Sequence, residues 1–296
     1  MKKVILVISF LFFCLQDIFA LDWIRLHEQA DNKTFAEAKQ EVEANPSSVG
    51  AKYILGLVYL NLHKDSEARI VFSDILQSYP DSKEAQWGIA EVLRRQHRLK
   101  EAEKILTEII RKDPDFHPAY ISLAYIKYFQ LDFNETVRLA YEVIRKGRGK
   151  TDLSNFTRAY AIYAGAKGIL AHYGGPLSKT INGLAVKVNL EKAQVLQPNS
   201  ATVLFGLGSY YFLAPSIAGG DIQKAESYLQ KTVEVDPLFA DAYLRLAQLY
   251  KVQGDYAKYQ LYLNRVKELD PENELFLDYK SGRCNFICPK AKDMVK

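Results

Sequence analysis

The side chains with the most reactive chemistry in this chain are five histidines and three cysteines. A metal hydrolase needs its ligands at close helical or loop spacing, typically two histidines four apart beside a glutamate. His27, His63, His97, His117 and His172 stand at least 20 residues from one another and form no such set. No nucleophile elbow or phosphate-binding glycine loop is present, and Gly174-Gly175 and Gly219-Gly220 each lie near a proline, which suits tight turns. His172 sits at the end of a helical stretch, where an imidazole can cap backbone carbonyls as readily as do chemistry. Cys284 and Cys288 allow a disulfide in an exported protein or two free thiols, whereas a metal would need further ligands. These residues point to a chain that is not an enzyme and that uses no cofactor or metal.

Charge narrows the partners. The chain holds 39 bases against 35 acids, a net +4, interleaved along helix surfaces as in Glu101-Ala102-Glu103-Lys104. A nucleic-acid binder would gather its bases on one face, so that class is excluded. The run Arg145 to Lys150 reads as a basic helix C-terminus with a glycine-bearing loop, where cations suit the dipole. Lys2 and Lys3 followed by the apolar run Val4–Leu15 and by Ile18-Phe19-Ala20 read as a signal peptide over 1–20. The run is shorter than the roughly 20 residues that span a bilayer, so the mature chain is expected to be exported without a membrane span, into a bacterial periplasm or cell envelope. Phe13 before Cys14 departs from the small residue of a lipoprotein box.

What must position any binding residues is a repeat. From Pro80 to Pro114 is 34 residues, and from Pro237 to Pro271 again 34. Within Val49–Pro80, Lys83–Pro114, Ala201–Pro237 and Ala240–Pro271 a small residue recurs at the eighth position (Gly56, Ala90, Gly208, Ala247). His117–Lys146 carries Ala124 there. The second half of three units supplies another small residue, Ala68, Ala102 and Ala225. Two helices that cross at small residues approach closely, and pairs that cannot bury their apolar faces alone stack into a continuous core. These residues resemble the tetratricopeptide repeat family over roughly 34–275. Thr136 and Tyr259 depart from the pattern. The resemblance implies an all-α, right-handed solenoid of about six antiparallel helix pairs, occupying 21–280 with an irregular segment at 151–198 and a flexible tail at 281–296.

The same resemblance implies that the first helix of each unit lines a concave wall. The positions it selects include Tyr53, Leu57, Trp87, Tyr125, Tyr128, Phe205 and Phe212. Tyr163 joins them as a candidate from the irregular helix at 151–172. Polar positions of this wall include Glu91, Arg94, Ser209, Gln248 and Lys251. Members that clamp a peptide carboxylate place Lys and Asn where Tyr53 and Leu57 stand, so that activity is not implied. Two segments break the register, Tyr173–Gly183 and Ala214–Gly220, and both read as loops by composition. They are expected at a lip of the wall bearing Tyr125, Phe205 and Phe212. Tyr173-Gly-Gly-Pro176, Ala214-Pro215 and Gly219–Ala225 also resemble the exported T-component that partners tripartite periplasmic transporters. The expected function is therefore a scaffold or adaptor that binds a protein partner or extended peptide on an open concave surface. The alternative is a hydrophobic small ligand held in an enclosed pocket near Tyr125, Tyr163 and Phe212, in association with a transporter.

Overall fold

The structure is a computed structural model and describes residues 21–289. The signal-peptide reading, Cys14 and the last seven residues lie outside that range. The described residues form fifteen α-helices and no strand. Two short helices, α1 (Trp23–Asn32) and α2 (Phe35–Ala44), precede six pairs. The pairs are α3 (Val49–Asn61) with α4 (Asp65–Ser78), α5 (Lys83–Arg95) with α6 (Leu99–Lys112), and α7 (His117–Phe129) with α8 (Phe133–Lys146). Then come α9 (Leu153–Tyr173) with α10 (Pro176–Leu196), α11 (Ala201–Leu213) with α12 (Ile222–Val235), and α13 (Ala240–Gln253) with α14 (Tyr256–Leu269). A final helix, α15 (Glu274–Lys280), packs on α13.

Local chemistry sets the ends of these helices. Ser48 and Ser82 accept the backbone N–H of Ala51 and Ala85, satisfying donors that a helix start leaves orphaned. At the fifteenth repeat position the turn between paired helices enters the left-handed region, at His63 (φ 56°), His97 (φ 57°), Leu131 (φ 66°) and Gly254 (φ 83°). The following N–H groups then reach back to the helix, as in Lys64 to Tyr59 O (2.9 Å) and Arg98 to Leu93 O (2.9 Å). Packing between pairs turns on Phe72. Its fully buried ring lies between Gly56 and Gly88, where an added Cβ would come within 2.5 Å of the ring on either side. Thr136 tolerates the small-residue position because its hydroxyl donates to Asp132 O (2.9 Å) on its own helix.

Two expectations are corrected. The segment Tyr173–Gly183 is not a loop: only Gly174 and Gly175 separate α9 from α10. Pro176 starts the helix, where its missing N–H costs nothing. The polar residues that suggested a loop bond locally instead: Ser178 Oγ donates to Leu170 O (3.0 Å), Asn182 to Ser178 Oγ (2.8 Å) and Lys167 to Asn182 (2.9 Å). Ala214–Gly220 is a loop as expected, with a single 3-10 turn at Ser216–Ala218. The tail is docked from Ser281 to Pro289, with a disulfide between Cys284 and Cys288 and with Phe286 and Ile287 buried. Helix α1 stands outside the six pairs. Its contacts are with α3 and α9, so it lies across the concave face.

Candidate functional site

The array curves until units far apart in sequence meet. His63 Nε2 bonds Asp236 at 3.2 Å, and His97 bonds Asp270 through Nε2 and Glu274 through Nδ1, both at 2.9 Å. His63 and His97 are one repeat apart, as are Asp236 and Asp270, so consecutive units of one half dock in register on consecutive units of the other. Donating hydrogen bonds to Asp270 and then to Glu274 raises the His97 pKa from 6.5 to about 10. A folded pKa above the unfolded value gives stability that is complete below 6.5 and fades as pH rises through about 10. Asp270 is opposed by burial, yet the His97 bond and charge hold it below the ordinary 3.8, so its share is present above that value and lost beneath it. The seam is therefore expected to be tightest between about pH 4 and 6.5 and to loosen toward 10. Urea midpoints of wild type and His97→Gln should converge as pH rises from 6 to 10. A gap independent of pH would reject this seam.

Inside the closed array lies a cavity of about 1510 Å³. Its apolar wall carries Tyr125, Tyr128, Phe129 and Phe205. Residues of both irregular segments border it, Tyr173, Lys179 and Thr180 on one side and Ala214 and Pro215 on the other. Arg94 is stacked on Tyr125 (5.4 Å) and held by two bonds to Glu91 (3.0 and 3.1 Å). Burial works against the Glu91 charge, but Arg94 keeps its pKa down at about 2. Burial pushes Asp241 up to about 6 and Tyr128 up to about 12. Among the described residues no group of His, Cys, Asp and Glu is arranged to hold a metal.

The first and last described segments occupy the rest of the concave face. At one end Trp23 and His27 of α1 pack on Phe116 and Trp87, and His27 Nε2 bonds the Tyr53 hydroxyl at 2.8 Å. Asp152, Asn155 and Ser154 at the start of α9 hold the other side of α1, with Ser154 Oγ donating to Asp31 at 2.5 Å. At the other end the disulfide-closed loop stacks Phe286 on Tyr128, with ring centroids 5.4 Å apart. Arg245 of α13 donates to Phe286 O (2.7 Å) and Ile287 O (2.9 Å), and Tyr173 to Cys284 O (2.7 Å).

Against known proteins, a sequence profile described as tetratricopeptide repeat matches residues 66–124 and 216–278, one stretch on each side of the α9–α10 hairpin. Those two stretches are tetratricopeptide repeats. Mouse tetratricopeptide repeat protein 21A is 45% identical over 38 residues, which is 13% of this chain and 3% of that protein. Among solved structures, the Cut9–Hcn1 assembly of the APC/C superposes with a TM-score of 0.59 at 13% identity, over 88% of this chain and 48% of that one. A human IFIT1 dimer with m7Gppp-AAAA gives 0.57 at 17% identity, over 84% and 59% respectively. The chain thus spans less than two thirds of the length of each of these three proteins, and the structural likeness concerns the fold. No helix among the described residues is long and apolar enough to cross a membrane.

In this array the eight expected wall residues divide. Tyr125, Tyr128 and Phe205 line the cavity together, whereas Phe212 borders it with its ring buried in the packing of Leu229, Leu249 and Tyr250. Tyr53, Leu57 and Trp87 do not offer a binding surface. They are buried, because α1 and the start of α9 pack over the repeat positions that an open solenoid would expose. Tyr163 is not in the cavity wall either. Its ring is tilted over Tyr141 at 6.3 Å with Lys167 above it. His63, His97, Arg158 and Asp241 were not selected as site residues, although each borders the cavity. The 34-residue spacing shared by the two histidines and by their two aspartates is the signal that could have found the seam.

Proposed function

We propose that the chain is an exported, non-catalytic binding protein that takes a largely apolar small ligand into the central cavity. The cavity itself carries this reading: about 1510 Å³ walled by aromatics exceeds the roughly 300–1,000 Å³ of ordinary small-molecule sites. The closed seam supports an internal ligand over a partner laid along an open groove. Export is supported by the leader-like first 20 residues and by the Cys284–Cys288 disulfide, a bond that persists in oxidising compartments. Native mass spectrometry of the protein from its own host should show an added small mass. Ser209 borders the cavity, so Ser209→Trp should obstruct part of it and reduce that mass while keeping the helical far-UV signal. A wild-type protein that carries nothing and gains no thermal stability from apolar ligands would overturn the reading.

A protein partner is the second reading, consistent with the tetratricopeptide fold. One observation favours it: Leu177, Ile181, Leu184, Val188 and Val195 form an exposed apolar stripe along α10. The segment resemblance would make that partner a transporter component.

A further inference from the structure

We infer that the cavity recognises an anionic amphiphile, with its acid group on Arg158 and its apolar chain along Phe205 and Tyr128. This rests on the cavity being the ligand site and adds the chemistry of the ligand. Four arginines border the cavity, and three are already committed, Arg283 by donating to Ser281 Oγ (3.0 Å). Arg94 is tied to Glu91, and Arg95 donates to Leu60 O (2.8 Å) and Asp65 (3.2 Å). Arg158, on α9, makes no hydrogen bond or ion pair among the described residues and senses Asp31 only at longer range. It borders both the main cavity and the small space of about 30 Å³ under α1. A half-buried guanidinium with its fork unfilled is well suited to a carboxylate, which it can bind with two parallel hydrogen bonds.

Charge orients such a ligand. Of the six carboxylates that border the cavity, Glu91 and Asp65 are paired with Arg94 and Arg95, whereas Asp236, Asp270 and Glu274 gather at the seam beside His63 and His97, with Asp241 joined to Asp270 through Asn273, so an acid group is repelled there. Lys179 borders the cavity on α10 as an exposed cation. A second polar anchor is available on α11, where Ser209 Oγ is buried without a partner between the apolar Phe205 and Phe212. An apolar chain with one terminal acid thus satisfies Arg158, can use the Ser209 hydroxyl and leaves the seam undisturbed.

Calorimetric titration of the purified protein at pH 8 with decanoate, decan-1-ol and decylammonium tests this. Wild type should take decanoate about tenfold more tightly than the other two, a margin within the range of one charge-assisted hydrogen bond. Arg158→Gln should bring decanoate to the level of decan-1-ol without weakening decan-1-ol, and Arg158→Lys should restore part of the preference. Equal binding of all three by wild type would overturn the assignment of the acid group while leaving the cavity reading intact. A preference that survives in Arg158→Gln would do the same. Binding of none of the three by wild type would overturn both readings, and that comparison needs no variant to fold.

Discussion

Gly56→Leu should lower stability by roughly 1–3 kcal/mol and Phe72→Ala by roughly 3–5 kcal/mol, with the two costs strongly non-additive. Phe72 is fully buried and its ring fills the space that Gly56 on α3 and Gly88 on α5 leave open. A leucine at 56 must displace that ring, and because α5 closes its other face the ring has nowhere to go. Removing the ring leaves a cavity between two units. In a stacked array each unit contacts only its neighbours, so the damage weakens the α3–α4 to α5–α6 step most. The coupling is the sharper check: Gly56→Leu should cost far less in a Phe72→Ala background, since the leucine then fills the vacated space. Urea denaturation of the four proteins completes the cycle. Additive costs would mean that the ring and the glycine do not share this crossing.

The second large effect is expected at Arg245. This guanidinium is buried in α13 and donates to Phe286 O, Ile287 O and Gln248 Oε1 (2.8 Å). Hydrogen bonds to a charged group are worth about 1.5–3 kcal/mol each, and buried carbonyls left without a donor are penalised. Arg245→Ala should therefore destabilise the protein by roughly 3 kcal/mol and release the loop closed by Cys284 and Cys288. Lysine cannot replace the fork, because its single ammonium cannot span both carbonyls. Limited proteolysis should cut the variant within 281–289 well before the helices, and the near-ultraviolet signal of Tyr128 should change as Phe286 leaves it. A protected loop and an unshifted urea midpoint would show that Phe286 and Ile287 anchor it without Arg245.

The repeat itself was legible because its anchors are steric. Gly56, Ala90, Ala124, Gly208 and Ala247 recur at one position in helices that cross closely, and that constraint acts within some 34 residues of chain. The α9–α10 boundary was not legible. Gly174, Gly175, Pro176, Ser178 and Asn182 have loop composition, yet proline is favoured at a first helical position, the serine bonds back to Leu170 O of α9, and the asparagine bonds that serine one turn earlier. The sequence pattern placed Tyr125, Tyr128 and Phe205 on one wall, and all three border the cavity, because repeat geometry sets the face on which they stand. It failed at Tyr53, Leu57 and Trp87 because what covers them is α1, a segment whose seat depends on the curvature of the whole array. The same holds for the docked loop around Phe286, which read as a flexible tail.

The paired contacts of His63 with Asp236 and His97 with Asp270 have an evolutionary consequence. Solenoids that end in solvent can gain or lose a unit by duplication or deletion, since each new unit meets only its neighbours. Here the two contacts work as a vernier: each spans 173 residues, and the pair is spaced by one period. Adding or removing a whole unit between residues 98 and 235 would carry Asp236 and Asp270 past their histidines together. The number of units in this protein is thereby constrained by the circumference it must close, and recombination between its own repeats should be selected against.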